Sequence, residues 1–108
     1  MPCFEDSAIS QAPPEEVWKL LYDPSRFSEW WAGMPQLLDM SRTEQRVLIS
    51  CLVTDIRFEW RLEPADGGGA TLISVLVDIP EREGRLLETE RTAISRSLAR
   101  LAELAATA

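Results

Sequence analysis

Hydrophobic positions near the C-terminus recur with the period of an α-helix. Within residues 84–105 the large or apolar positions at steps of three, four and seven are Leu87, Ile94, Leu98, Leu101 and Ala105. This run contains no Pro and no internal Gly, and its Leu, Ala, Glu and Arg residues favour a helix. Burial of each large aliphatic side chain contributes roughly 1.5–3 kcal/mol. We therefore predict a long helix, about six turns at 3.6 residues per turn, whose apolar stripe lies on another layer of the protein.

Stretches that precede this helix alternate with the period of a β-strand. The clearest is 55–63, where apolar side chains point one way and the charged side chains Asp55, Arg57, Glu59, Arg61 and Glu63 point the other. A Gly-rich turn then leads to a returning strand, 71–79. Weaker alternation predicts three further strands, 4–10, 36–41 and 47–53, and a polar turn joins the last two. We interpret the charged row as a face turned toward solvent or toward a second subunit.

Two short helices are predicted between the first strand and the rest of the sheet. Pro13 and Pro14 suit a first helical turn, and the run E-E-V-W-K-L-L-Y follows them. Asp23 and Pro24 end this helix and start a second one, with Asp23 as the N-cap. The second helix carries three aromatic residues on one side: Phe27, Trp30 and Trp31. The order of elements predicts an α+β fold in a single domain, residues 1–108, with helices on one side of an antiparallel sheet.

Charge and composition restrict the classes of partner. The net charge of −7 argues against nucleic acid and against anionic membrane surfaces, since both require a basic face. No apolar run is long enough to span a bilayer, and the first residues show no secretory signal. We therefore expect a cytoplasmic protein whose partner is neither nucleic acid nor a membrane.

The inventory of reactive side chains argues against most enzyme classes. The chain has no His, so it lacks the usual zinc ligands and the commonest general base. Cys3 and Cys51 have no metal-ligand spacing, and the D-G-G-G turn opens no helix that could bind phosphate. We predict no metal and no cofactor. Any acid–base chemistry would depend on Tyr22, Lys19, a thiol or a carboxylate, so the balance favours a protein that is not an enzyme.

One stretch resembles a known family. Residues 9–31, I-S-Q-A-P-P-E-E-V-W-K-L-L-Y-D-P-S-R-F-S-E-W-W, are similar to the opening of START-like proteins, in particular those of the polyketide cyclase/dehydratase group. The G-G-G-A-T-L hairpin and the closing L-A-R-L-A-E-L helix resemble the later parts of the family. The resemblance implies the helix-grip fold, a curved sheet wrapped on a long C-terminal helix with an apolar cavity between them. After Trp31 the chain is shorter than usual, which predicts a smaller cavity and a sheet edge that a second subunit could cover.

The resemblance places a ligand site between the sheet and the long helix. Its predicted lining residues are Trp30, Trp31, Met34, Phe58, Trp60, Ile94 and Leu98, with Arg91 as a polar anchor. Trp30 and Trp31 fit a pocket and a packed core equally well, whereas Trp18 fits the core better. Arg91 lies on the stripe that is predicted to be buried, so its charge requires a partner. A salt bridge to Glu59, Asp78 or Glu88 is favoured over contact with a ligand.

Three hypotheses for function follow from these observations. The preferred one is non-catalytic binding of a small apolar or aromatic molecule in the cavity. The second is an enzyme, a cyclase or dehydratase of polyketide-like substrates, in which Tyr22 or a buried carboxylate supplies the proton. The third is a dimeric interaction module whose core is closed by side chains.

Overall fold

A curved five-stranded antiparallel sheet and a long C-terminal helix form the part of the chain described by the computed structural model, residues 2–35, 37–43 and 46–107. The strands are β1 (Cys3–Ser10), β2 (Leu38–Thr43), β3 (Arg46–Cys51), β4 (Arg57–Ala65) and β5 (Ala70–Asp78), and the α-helices are α1 (Pro14–Leu21) and α2 (Leu87–Thr107). Short 3-10 helices occupy Pro24–Glu29, Asp66–Gly68 and Glu81–Leu86. The strand order is β1-β5-β4-β3-β2. The predicted α+β helix-grip is confirmed.

The inner face of the sheet is the apolar face that the alternation predicted. The register places Val47 opposite Trp60 and Trp60 opposite Val75, so that these three side chains form one row across the sheet. The next row contains Ile49, Phe58 and Val77, and all of these residues are buried. The stripe of α2 joins the same core through its buried residues Ile94, Leu98, Leu101 and Ala105.

Buried hydroxyl groups join the two ends of the chain. The Ser10 hydroxyl, at the end of β1, donates to the Ala102 carbonyl oxygen in α2 at 2.7 Å. The Ser10 hydroxyl oxygen also accepts from the Ala12 backbone N–H at 3.3 Å, and the Thr71 hydroxyl donates to the Ala12 carbonyl oxygen at 2.8 Å. These bonds fix α2 against β1 and therefore against the sheet.

Several predicted element boundaries were wrong by a few residues. Asp55 was predicted in a strand, but its φ of +60° lies in the left-handed region that Asp tolerates, and its N–H closes a turn on the Cys51 carbonyl oxygen. The strand predicted at 47–53 therefore ends at Cys51, and the next one begins at Arg57. The strand predicted at 36–41 is Leu38–Thr43; the predicted turn after it includes Glu44 and Gln45, which with Gln36 lie outside the described residues.

The second short helix differs in type and in length from its prediction. It is a 3-10 helix, and it ends at Glu29, before the two adjacent tryptophans. The predicted cap is present, because the Asp23 carboxylate accepts from the Ser25 N–H at 3.0 Å. The Ser25 hydroxyl and N–H hold the pKa of Asp23 below its ordinary value. Trp30 and Trp31 therefore lie in a segment without regular secondary structure.

Candidate functional site

Five aromatic side chains pack together on the inner face of the sheet beside α2. We call this set the aromatic cluster: Phe27, Trp30, Trp31, Phe58 and Trp60. The rings of Trp30 and Trp31 are stacked, with centroids 5.4 Å apart and planes at 17°. The Trp31 ring meets Phe58 and Trp60 edge to face, at 5.0 and 5.4 Å. Offset stacking and edge-to-face contacts are the favoured geometries of aromatic pairs, so the cluster is a packed unit.

The cluster leaves no space for a molecule in the state described here. Trp60 is 0% exposed, and Trp30 and Trp31 are each 3% exposed. A void large enough for water would add accessible area to the side chains that line it. Phe58, Ile94 and Leu98 are each 2% exposed or less. Six of the eight predicted lining residues are therefore brought together as a closed core, and a ligand can reach them only if part of that core moves.

The two remaining predicted residues lie at the margin. Met34 is half-buried and packs against the core. Arg91 is exposed, and its guanidinium carbon lies 5.6 Å from the centre of the Phe4 ring, beside an open cleft at the β1 edge. The predicted burial of Arg91 was wrong because the start of α2 lies at the rim of the core, where even Leu87 is only half-buried. Of its predicted partners, Glu59 pairs with Arg61 at 2.8 Å instead.

The indole nitrogens of the cluster are not equally satisfied. Trp30 Nε1 donates to the Leu20 carbonyl oxygen at 3.3 Å. Trp60 Nε1 is fully buried and has no hydrogen-bond partner among the described residues. Buried polar groups in native proteins nearly always have a partner, so this donor calls for an explanation. Alternation along β4 identifies Trp60 as inward-facing but gives no sign that its N–H is unpaired.

Trp30 and Trp31 belong to a segment that is attached to α2 by few polar contacts. We call residues 30–35 the Trp segment. The Ser97 hydroxyl, fully buried in α2, accepts from the Ala32 backbone N–H at 3.0 Å and donates to the Ala93 carbonyl oxygen at 2.7 Å. Gly33 follows with a φ of +70°, a conformation that Gly adopts without strain and that turns the chain toward β2.

A cleft runs along the outside of this junction. Its volume is about 500 Å³, and its lining residues are Ala32, Gly33, Glu88, Thr89, Thr92, Ala93 and Arg96. Ala32 and Ala93, the two residues that the Ser97 hydroxyl joins, both line it. The cleft therefore borders the seam between the Trp segment and α2, and Ala32 in its lining directly follows Trp31 of the aromatic cluster.

The side chains of the aromatic cluster do not titrate, but two partly buried groups elsewhere, Glu90 and Cys51, have shifted pKa values. Glu90 in α2 is half-buried, and this burial raises the pKa of its carboxyl group. Burial also raises the pKa of the nearby Cys51 thiol, but hydrogen bonds with the Thr54 side chain and with the Thr54 and Val53 backbone outweigh it, so the net pKa is lowered. The sequence analysis missed Glu90 because it falls in an acidic first turn that is typical of helix starts.

Tyr22, the proposed proton donor of the enzyme hypothesis, is not part of the cluster. Its ring stacks on Trp18 at 4.5 Å, and the Arg42 guanidinium lies 4.1 Å above it. Both rings are partly buried and pack against the core, so Trp18, which was predicted to belong to the core, lies at its margin. Within the described residues, no three His, Cys, Asp or Glu side chains are grouped as metal ligands are.

Comparison with known proteins places this architecture in a family. A family model described as polyketide cyclase/dehydrase and lipid transport matches residues 1–99. The chain belongs to this family. Membership confirms the START-like resemblance that residues 9–31 predicted. No curated protein matches the chain.

Solved structures share the fold of this family member at low sequence identity. A protein of Nitrosospira multiformis superimposes with a TM-score of 0.73 at 17% identity, over 94% of both chains. The protein XoxI of Bacillus cereus gives a TM-score of 0.76 at 12% identity, over 96% of this chain and 95% of its own. The di-domain ARO/CYC BexL of the BE-7585A biosynthetic pathway gives 0.74 at 13% identity, over 95% of this chain and 46% of its own. None of the described helices is both long and apolar enough to cross a membrane.

Proposed function

We propose that this family member binds a small apolar molecule between the inner face of its sheet and α2, and that it acts as a binding protein rather than as an enzyme. The observation that carries this proposal is the cleft of about 500 Å³ whose lining includes Ala32 and Ala93, one residue from each side of the seam. Ligand sites of proteins have volumes of roughly 300–1,000 Å³ and mostly apolar walls. The cleft supplies a route of that size, and the cluster supplies the apolar walls.

Binding requires the Trp segment to move away from α2. The segment follows a 3-10 helix, whose hydrogen bonds have poorer geometry than those of an α-helix. Along its seam with α2 it is held by the Ala32–Ser97 hydrogen bond and by burial of its two indoles. A ligand with a comparable apolar surface replaces the contacts that Trp31 gives up, so the hydrophobic contribution of the closed state is largely retained in the bound state.

The composition of the cluster supports binding without catalysis. Its five side chains are all Phe or Trp, and none of these titrates. Proton transfer needs a titratable group within hydrogen-bond reach of the reacting atom. Tyr22, the candidate donor, stacks on Trp18 outside the cluster. The apolar walls can hold and orient a molecule, but they have no group with which to move a proton.

Native mass spectrometry of the protein purified from its own cells tests the proposal. We expect a small mass that stays with the folded chain and is released on denaturation. The protein freed of that mass should bind 1-indanone or indane in a titration followed by tryptophan fluorescence, because both probes are small and apolar. A chain that carries no extra mass and binds neither probe would contradict the proposal.

A second candidate function, an interaction module with a closed core, is favoured by an apolar patch at one sheet edge. Leu37, Leu52 and Val53 are 58%, 59% and 71% exposed, and the Leu52 N–H donates to the Leu37 carbonyl oxygen at 2.9 Å. They lie where β2, an edge strand, begins and where β3 ends. Unpaired edge strands and grouped exposed apolar side chains both favour association. A dimer mass in the same native spectrum, without a bound small molecule, would support this function instead.

A further inference from the structure

The unpaired indole N–H of Trp60 is the most unusual polar group in the described core. Its side chain is 0% exposed, and its Nε1 has no partner among the described residues. A buried donor without an acceptor destabilises the closed state, because its bonds to water are lost and not replaced. Phe at this position would supply a similar apolar ring without that cost. An indole N–H kept in an apolar interior is therefore suited to bind an acceptor that is absent from the closed state.

Two stacked indoles border Trp60, and an acceptor could take the place of one of them. Trp60 meets Trp30 and Trp31 edge to face, at 5.2 and 5.4 Å, and Trp31 also stacks on Trp30 and meets Phe58. Of the two stacked indoles, Trp31 is the one followed directly by Ala32, whose N–H forms the seam with Ser97. When the seam opens, the Trp31 ring can leave a flat space. That space has the shape of a fused two-ring system, is faced by Trp30, and lies against Trp60.

We infer that the ligand is a flat, fused-ring molecule that bears a neutral acceptor oxygen, a carbonyl or an ether, and that this oxygen accepts a hydrogen bond from Trp60 Nε1. The inference rests on the proposed function and specifies the ligand class of the same site. In the bound state the ligand ring takes the place of the Trp31 ring and stacks on Trp30. Trp60 is then the residue that determines specificity, in place of Arg91.

Charge considerations support a neutral acceptor rather than an anion. The five side chains of the aromatic cluster carry no cation, and the exposed Arg91 guanidinium lies over Phe4 outside it. Moving a carboxylate into an apolar site without a paired cation is strongly unfavourable. A ketone or ether oxygen has a much lower desolvation cost, and one N–H donor satisfies it in part.

A matched pair of probes tests this inference. 1-Indanone and indane have the same fused-ring skeleton and differ at one position, a carbonyl group against a methylene group. Dissociation constants are measured by equilibrium dialysis for the wild type, for Trp60→Phe and for the control Trp18→Phe, which makes the same change outside the cluster. We expect Trp60→Phe to weaken 1-indanone binding about fivefold relative to indane, the size of one neutral hydrogen bond. Trp18→Phe should leave the ratio unchanged.

A second measurement uses only the wild type, so its result does not depend on how a variant packs. In ¹⁵N-labelled wild type, the indole N–H signal of Trp60 should move downfield when 1-indanone is added, and less when indane is added. A Trp60 N–H that already interacts with the face of a neighbouring ring would show equal shifts with both probes, and that result would overturn the inference. If the ratio of the 1-indanone and indane dissociation constants were the same in wild type and Trp60→Phe, the inference would also be overturned, but the proposed function would stand. Binding of neither probe by the wild type would overturn the proposed function itself.

Discussion

The Ser97 hydroxyl of α2 holds the backbone of Ala32 at the end of a tryptophan pair. It accepts the Ala32 N–H at 3.0 Å while donating to the Ala93 carbonyl oxygen one helical turn back. A Ser hydroxyl in a helix often donates a hydrogen bond to the carbonyl oxygen four residues before it. Here the Ser97 hydroxyl oxygen also accepts the Ala32 N–H, and this bond joins the Trp segment to the helix.

Ser97→Ala should loosen this seam. We expect a loss of about 1 kcal/mol in the free energy of unfolding, the net value of one hydrogen bond. Hydrogen exchange at the Ala32 amide should be faster, and association of 1-indanone should be faster as well. Ser95→Ala is the matched control, since Ser95 is exposed on the same helix and the gain in helix propensity is the same. Equal stability and equal Ala32 exchange in the two variants would show that the seam does not depend on Ser97.

Ser10→Ala should destabilise the whole domain. The buried Ser10 hydroxyl joins β1 to the Ala102 carbonyl oxygen and also accepts the Ala12 N–H, so its removal leaves two buried backbone groups without a partner. We expect the free energy of unfolding to fall by about 1–3 kcal/mol in urea denaturation. Ser7→Ala on the exposed face of β1 provides the control. A Ser10→Ala protein as stable as Ser7→Ala would contradict this role.

Glu90→Gln should alter the dependence of stability on pH. Burial raises the pKa of the folded-state carboxyl above its ordinary value of 4.5, so the folded protein binds a proton more tightly than the unfolded chain does. Stability from this group is complete below pH 4.5 and is lost as the pH rises through the folded-state pKa. Glu90→Gln should therefore be more stable than wild type at pH 7, and their difference should shrink toward pH 4.

The control for this comparison is Glu88→Gln, which removes an exposed carboxylate from the same turn of α2. Urea denaturation of the three proteins at several pH values between 4 and 7 provides the measurement. If Glu88→Gln produced the same pH-dependent gain as Glu90→Gln, the effect would come from net charge and not from burial of Glu90.

Arg91→Gln should have little effect on ligand binding. The guanidinium lies over the Phe4 ring at the β1 edge, and such an exposed cation–π contact contributes about 0.5–1 kcal/mol. We expect a loss of stability no larger than this and an unchanged dissociation constant for 1-indanone. Ile94→Ala, one helical turn further along α2 and fully buried, should lower the free energy of unfolding by about 2–5 kcal/mol. A strong loss of indanone binding in Arg91→Gln would restore the anchor role predicted from the sequence.

Periodicity identified the elements of this fold because each has one buried face. Phe58 and Trp60 in β4, and Ile94 and Leu98 in α2, occupy the core positions that alternation and helical spacing predict. The family resemblance added the order of the layers. Element boundaries were less accurate where a backbone conformation decides them, as at Asp55, since a positive φ at a residue other than Gly leaves no pattern in the neighbouring side chains.

The candidate site was only partly predictable for a related reason. Residue types at 30, 31, 58 and 60 predict an aromatic group, but a pocket and a packed core use the same residues. Whether the rings touch depends on where the Trp segment lies, and that depends in part on a hydroxyl group of another element, Ser97. The Trp60 N–H is likewise unpaired because, among the described residues, no acceptor lies within hydrogen-bond reach of it.

The pairing of β1 with β5 and of Ser10 with Ala102 has a consequence for biosynthesis. Synthesis runs from the N- to the C-terminus, so β1 is made well before its partners, residues 71–78 and Ala102 in α2. Contacts between residues so distant in sequence form late and slow folding. The alternating face of β1 thus stays unpaired while most of the chain is being made. The contacts of β1 with β5 and with α2 are complete only after residue 102 has emerged, so they belong to a late stage of folding.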